Sequence, residues 1–446
     1  MAPKKQTGAR LRTKEVPERE TPPTEGHLPA GEMSAAPDNG QPPAGGASSA
    51  PSNERSLPAG EARCRHFGAC GGCRMQDLPY EAQVAKKAEE LSRLMAPLGL
   101  SAGVLVHPSP EPWYYRNKME YSFQDVYPAP PPGEDALLLG LKRRNRWDKV
   151  MNLEECFLLS PEAPALLKGV HEWARRENLV PYNLHRQEGF LRHLLVREGK
   201  NTGERMVVCV TSPGPFPAES FVKAVAACYP ASTVLRGIHT SKSDTASSEK
   251  LELLHGPGHI YEEFLGKRFR VSPYSFAQTN SRGAEFLYGL LRSWLSELEP
   301  KNLLDLFCGG GGIGLSVADL CAQVMGVELV DSAVEAARHN AEINKVPNAQ
   351  FMAAKVEEIL PGLAAQGVEV DTVIVDPPRS GLHPSAVPAL KELGAKHILY
   401  VSCNPKAMAE DLRRLADLYD LRKVEGVDLF PHTDHIEAVA LLRTIY

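Results

Sequence analysis

The sequence has no apolar run near the roughly 18–20 residues that a membrane-spanning helix needs, and no apolar stretch follows the basic residues of its opening, MAPKKQTGARLRTK. Neither a membrane segment nor a secretory leader is therefore expected, and the expected location is the cytoplasm. Positive charge is not in excess either: 50 Lys and Arg stand against 55 Asp and Glu, a net charge of −5. Nucleic-acid binding by bulk charge is thereby excluded, and only local basic patches could provide it. The nine cysteines are odd in number and scattered, which argues against a disulfide framework and for metal-binding or catalytic thiols.

What is present suits two or three folded domains. Residues 1–62 are dominated by Pro, Gly, Ala, Ser and Glu, too little apolar surface to offset ordering entropy, and are expected to be disordered. Residues 63–271 begin with a helical period in YEAQVAKKAEELSRLMAPL, followed by short strand-like runs such as KMEYSF, ALLLGLKR, HLLVRE and MVVCVT. A smaller α+β central domain is predicted there. In residues 272–446 the apolar runs NLLDLF, VMGVEL, AQFMAA, TVIVDPP and HILYVSC alternate with helical segments. That alternation predicts an α/β, Rossmann-like, doubly wound parallel sheet with its ligand at the carboxyl ends of the strands.

The first of these strands runs into Asp305-Leu-Phe-Cys-Gly-Gly-Gly-Gly-Ile-Gly314. Glycines let the backbone turn sharply and approach a ligand, and the next helix presents its amino end. Gly309, Gly311 and Gly314, with Glu328 closing the next strand, also fit a dinucleotide fingerprint. Asp305 before the loop and Asp376-Pro-Pro-Arg379 after the fourth strand resemble instead the class I methyltransferase fold, which implies S-adenosylmethionine.

The fifth strand ends in Ser402-Cys403-Asn404-Pro405, which puts a thiol beside the expected methyl group. Uracil C5 is too weak a nucleophile to attack a methylsulfonium until a thiolate has added to C6. Cys403 suits that role. A base must then remove the C5 proton, and the stretch FPHTDHIE offers Glu437 at the start of an apolar strand, with His435 and His432 as alternatives.

DLFCG, DPPR, SCNP and FPHTxHxE, together with SFAQTN at residues 275–280, resemble the RNA uracil-5-methyltransferases over residues 64–446. That resemblance implies that Gln278, Phe307, Glu328 and Asp376 bind S-adenosylmethionine, that Cys403 is the nucleophile and that Glu437 is the base. Several members have Asn where this chain has Gly312, so no side-chain contact is implied there.

Cys64, Cys70 and Cys73 cluster ahead of the first helix, and Cys156 follows at a distance. Four thiolates suit zinc or an iron–sulfur cluster, and spacing alone does not separate them. The arrangement resembles that of the large-subunit (23S) ribosomal RNA members, which implies a [4Fe–4S] cluster and ribosomal RNA as substrate. A radical mechanism is not expected, because the spacing is not Cys-x3-Cys-x2-Cys. Cys209, Cys228 and Cys321 read as core, and Cys308 as part of the glycine-loop motif.

Two stretches read as RNA contacts: Trp113–Glu120, mixing aromatic and basic residues, and the cluster Lys142, Arg143, Arg144, Arg146 and Lys149. Aromatic packing at a strand start is the plainer reading of the first, and a solvated charged face that of the second. Many relatives begin with a small β-barrel RNA-binding domain, for which residues 1–62 have no strand pattern. Their basic start is a substitute nonspecific contact on this reading. A monomer is expected. The rivals are a transfer RNA uracil-5-methyltransferase, a nitrogen methyltransferase, a noncatalytic iron–sulfur RNA-binding protein and an NAD-dependent oxidoreductase. Arg379 and Cys403 argue against the nitrogen enzyme, and Cys403, Asp376 and Glu437 together argue against the pure binder.

Overall fold

The computed structural model describes residues 60–100, 103–128, 130–131 and 135–446. The tail read as disordered therefore lies, except for its last three residues, outside the described residues. Helix α1 (Tyr80–Met95) buries Gln83, Lys87, Leu91 and Met95, a stripe at four-residue spacing, and leads into strand β1 (Leu105–His107). Strands β2 (Lys118–Asp125), β3 (Leu137–Arg143) and β4 (Arg146–Asn152) precede helix α2 (Ala163–Arg176). Strands β5 (Leu191–Glu198) and β6 (Arg205–Thr211), helix α3 (Ala218–Cys228), and strands β7 (Thr233–Ile238) and β8 (Lys250–His255) complete this region. Its seven strands form one sheet in the order β4-β3-β2-β5-β6-β7-β8, covered by α2 and α3.

A hairpin of β9 (Ile260–Phe264) and β10 (Lys267–Val271) leads to helix α4 (Ser281–Leu298). The cap of α4 is Asn280, whose Oδ1 accepts from the Gly283 amide at 2.9 Å. Strand and helix then alternate: β11 (Asn302–Leu306), α5 (Gly312–Val317), β12 (Gln323–Glu328), α6 (Asp331–Ile343), β13 (Ala349–Ala353) and α7 (Val356–Ala365). They continue through β14 (Thr372–Val375), α8 (Ala386–Leu393), β15 (His397–Ser402), α9 (Pro405–Leu415), β16 (Tyr419–Val427) and β17 (Glu437–Thr444). The eight-stranded sheet has the order β1-β16-β17-β15-β14-β11-β12-β13. Successive residues along its middle strands enter opposite cores: Val373, Val375 and Tyr400 on one face, Ile374, Leu399 and Val401 on the other. Burial on both faces explains why these strands read as continuous apolar runs.

The expected Rossmann-like α/β sheet and α+β central region are both present, but β17 runs antiparallel to both β15 and β16 where a parallel sheet is expected. One segment falls elsewhere than its sequence position suggests. β1 pairs in parallel with β16, with Val106 opposite Gly426, and Leu91, Met95, Val104 and Val106 join the core of the eight-stranded sheet. A three-residue strand in an α+β context carries no signal of which sheet edge it will extend.

Candidate active site

From β11 the sheet grows in one direction through β12 and in the other through β14, so the strand order reverses between β11 and β14. A doubly wound sheet opens a ligand crevice at that point. Phe307 and the glycine loop leave β11 there, and Asp376 leaves β14. The loop is tight: Phe307, Gly309 and Gly311 have φ of 62°, 53° and 81°. For Phe307 this is a costly conformation, of the kind found at ligand sites. A Cβ on Gly312 would lie 2.8 Å from the hydroxyl of buried Tyr288, so the Asn that some relatives carry there would require Tyr288 to move.

One cavity is lined by Gln278, Phe307, Asp376, Gly309, Gly310 and Asn340, among others. Glu328 sits at the end of β12, where its two carboxylate oxygens accept from the amides of Gly309 at 3.1 Å and Val330 at 2.9 Å. Asp305 is buried. Its Oδ2 accepts from Gly314 at 2.9 Å, its Oδ1 has no partner, and burial pushes the carboxyl up to about 7. Gln278, Phe307 and Asp376 thus line this cavity, and Glu328 is tied to it through Gly309. The orphaned acceptor and the loop with little room for added side chains fit a polar ligand laid against the backbone.

The expected nucleophile and base are brought together by strand register. β15 and β17 are antiparallel with Ser402 opposite Ala438, so Cys403 and Glu437 follow as neighbours at the end of that ladder. Cys403 is half-buried and lies just before Asn404, the cap of α9. Asn404 Nδ2 donates to the Arg379 carbonyl at 2.8 Å, tying this corner to the Asp-Pro-Pro-Arg turn. Burial, then the Glu437 and Asp376 carboxylates, push the Cys403 thiol up, while the Arg379 charge pulls it down. Glu437 is 1% exposed. Burial, then Asp376, holds its carboxyl well above the usual range, and burial holds that of Asp376 at about 7. Two carboxyls crowded beside a thiol resist charging together.

Of the alternative bases, His432 is a brace. It stacks on Trp113 at 3.8 Å between ring centroids, its Nε2 meets the Pro112 carbonyl at 2.9 Å, and its Nδ1 meets Gln83 Nε2 at 3.2 Å. Burial pushes it down to about 4. The loop it belongs to is anchored from below by Asp428, which pairs with Lys87 at 2.7 Å, the two side chains 0% and 3% exposed.

The stretch Trp113–Glu120 is not a stacking platform. Trp113 is occupied by His432, while Tyr115 is buried and donates to the Pro431 carbonyl at 3.1 Å. Asn117 Nδ2 donates to the Gln278 carbonyl at 2.7 Å and to Ser281 Oγ at 2.8 Å. Sequence reasoning missed this positioning of Gln278, and also that of Asn340, which donates to the Gly310 carbonyl and accepts from the Arg270 amide, both at 2.9 Å. An asparagine inside a strand-like or helical run gives no sign of a partner more than twenty residues away.

Arg116 and Lys118, which alternate with the buried residues, face a groove of about 990 Å³. Lys142, Arg143, Arg144 and Arg146 of the β3–β4 hairpin line it, and at its other end are Thr433 and His435, two residues short of Glu437. All of the basic cluster but Lys149 therefore belongs to a concave surface that reaches Thr433 and His435.

Cys64, Cys70, Cys73 and Cys156 line one small cavity, all as free thiols. Gln76 Nε2 donates to Cys73 Sγ at 3.1 Å, and the Gly72 amide to Cys70 Sγ at 3.4 Å. Among the described residues no group of three or more His, Cys, Asp or Glu is spaced to hold a metal ion. The four thiols come together on that cavity.

The profile of the tRNA (Uracil-5-)-methyltransferase family matches residues 266–445. An uncharacterized RNA methyltransferase of Clostridium tetani is 37% identical over 390 residues, which span 86% of this chain and 84% of that protein. A second, from Caldanaerobacter subterraneus, is 37% identical over 87% of this chain and 86% of that protein. Among solved structures, the tRNA (uracil-54, C5)-methyltransferase of Pyrococcus abyssi in complex with S-adenosyl-L-homocysteine is 32% identical with a TM-score of 0.69, covering 83% of this chain and 85% of that one.

Proposed function

The chain belongs to the tRNA (uracil-5-)-methyltransferase family and is an RNA methyltransferase, and from that premise we propose that it methylates C5 of a uracil through a covalent adduct of Cys403. The observation that carries the reading is the adjacency of Cys403 and Glu437 at the ends of neighbouring strands, beside the crevice between β11 and β14.

S-adenosylmethionine, bound in that crevice, supplies an electrophilic methyl group. Gln278, Phe307, Glu328 and Asp376 are its proposed ligands, with Glu328 at the ribose hydroxyls. Cys403 releases its proton to solvent, an ionisation that Arg379 favours, and its thiolate adds to C6, so that electron density moves to C5. C5 then takes the methyl group as the methyl–sulfur bond breaks, and S-adenosylhomocysteine is left behind. Glu437 removes the remaining C5 proton, the C5–C6 double bond reforms, and the Cys403 sulfur leaves as thiolate. A carboxylate held above its usual range is a stronger base for that step than a solvated one. The uracil reaches Cys403 only when turned out of its stack, and the groove ending at His435 is its proposed path.

The proposed substrate is 23S ribosomal RNA, supported by the cysteine set and its resemblance to the ribosomal members. Transfer RNA is the second reading, favoured by the likeness to the Pyrococcus enzyme. The four cysteines are the proposed holders of a [4Fe–4S] cluster of structural role. Zinc, which also takes four thiolates, is the alternative. Labelled methyl transfer to 23S and transfer RNA transcripts, followed by nucleoside analysis, tests the reading. 5-Methyluridine in the ribosomal transcript alone is expected; label in transfer RNA alone transfers the substrate assignment, and label on a base nitrogen overturns the chemistry. Protein purified without oxygen is expected to contain iron and absorb visible light. Zinc in its place would overturn the cluster.

A further inference from the structure

Beside the basic groove, and sharing with it the residues Ser122, Lys142, Trp147, His193 and Asp244, lies a second, more enclosed pocket. It runs back between β2, β4 and the loop that carries Tyr182 and Asn183. Nothing in the proposed methyl-transfer chemistry uses it. Trp147 forms the shared rim. It is 67% exposed, in contrast to Trp173 and Trp294, which are 0% and 2% exposed. Burial is the ordinary condition of so large an apolar ring.

The rim is held in place. The β3–β4 hairpin turns through Arg144 and Asn145, with Asn145 at a φ of 59°. The cysteine segment clamps it: the Gly71 amide donates to the Lys142 carbonyl at 3.0 Å and the Arg144 amide to the Ala69 carbonyl at 2.8 Å. The pocket's acids are already paired, Asp125 with Arg186, Asp148 with Arg146, and Asp244 with both Lys142 and His193. No bare carboxylate therefore opposes an incoming phosphate. At the back, Arg192 lies 3.6 Å over the Tyr182 ring. An exposed indole beside guanidinium and ammonium groups, opening from a basic groove, matches how proteins hold an unstacked base with its phosphate.

We propose that this pocket receives a second base of the RNA, distinct from the methylated uracil, stacked on Trp147 while Arg143 and Arg144 hold the backbone, and that it contributes to the choice of substrate. The proposal rests on the reading of the chain as an enzyme acting on RNA. A base has a π face and an anionic polysaccharide has none, so the two probes separate stacking from charge.

The test uses the full chain, a 12-residue single-stranded RNA and a heparin fragment of similar charge. The RNA is expected to quench the fluorescence contributed by Trp147, and heparin to leave it unchanged. Trp147→Ala should weaken RNA binding about tenfold, the scale of one lost stacking contact, with heparin binding as in wild type. Trp147→Phe should retain most of the RNA affinity. Equal RNA affinity in Trp147→Ala and wild type would overturn the proposal, and so would a parallel loss for RNA and heparin. The wild-type adduct assay with 5-fluorouridine RNA reports separately on the uracil chemistry, so its failure leaves the quenching result to stand alone.

Discussion

The reactive edge of the eight-stranded sheet and the basic groove over the seven-stranded sheet are built in different ways. At the edge, each reactive group follows directly from a strand: Asp376 from β14, Cys403 from β15, and Glu437 at the head of β17. Register alone sets their neighbours, and buried strands on both sides make that register costly to change. The groove has no such frame. Its walls come from the cysteine segment, β2, the β3–β4 hairpin, the loop around Asp244 and the loop at Thr433 and His435. The cysteine segment joins the two regions. On one side Cys70 bridges to Arg143, and on the other the amides of Arg74 and Met75 donate to the His432 carbonyl at 2.8 and 3.1 Å. In the proposed reading, chemistry is placed by rigid strands, and RNA contact by loops that a thiol-rich strap holds against them.

The largest effect is expected at the edge. Glu437→Gln keeps the side chain's shape but removes the base, so turnover is expected to fall by about 10²–10⁴-fold. Because adduct formation precedes the lost step, a covalent protein–RNA species should accumulate, visible as a band stable to denaturation. Lost turnover with no trapped species would remove Glu437 from the proton step.

A smaller effect is expected where the strap and the reactive loop are anchored. Lys87→Met leaves Asp428 buried without its counter-charge, with only the Tyr80 hydroxyl and the Phe430 amide donating to it, at a cost of about 3 kcal/mol. Thermal unfolding should shift down by several degrees, while Lys87→Arg should recover part of the loss. An unchanged midpoint would mean that this buried pair does not hold the loop.

The smallest effect sharpens the electrostatics of the edge. Burial and two carboxylates raise the Cys403 thiol, and Arg379 opposes them. The thiolate is the basic form, so a raised thiol means that adduct formation quickens as pH rises above neutral. Arg379→Gln removes the opposing charge, raises the thiol further and should move the rise to higher pH. A profile unchanged in the variant would show that Arg379 does not tune the nucleophile.

The same contrast explains what the sequence discloses. Asp305, the glycine loop, Asp376, Cys403 and Glu437 stand beside strand runs that are apolar throughout, so their places at strand ends are legible from pattern alone. The groove is legible only in its hairpin, where four basic residues fall close together. Trp113 and Tyr115 look like RNA contacts in sequence but are consumed by packing on His432 and Pro431, since aromatic content does not reveal which face is covered. β1 joins a sheet whose other strands lie some two hundred or more residues further on, and no local signal announces so distant a pairing. The four cysteines announce their convergence by clustering, but not what they hold.

The central claim is that Cys403 forms a bond to the uracil ring. Incubating the protein with S-adenosylmethionine and RNA containing 5-fluorouridine, whose C5 fluorine blocks proton removal, and measuring intact mass tests it most directly. Wild type is expected to gain the mass of the RNA plus one methyl group at Cys403, and Cys403→Ala to gain nothing. An adduct of equal yield in Cys403→Ala, or methyl transfer with no adduct in wild type, would contradict the account.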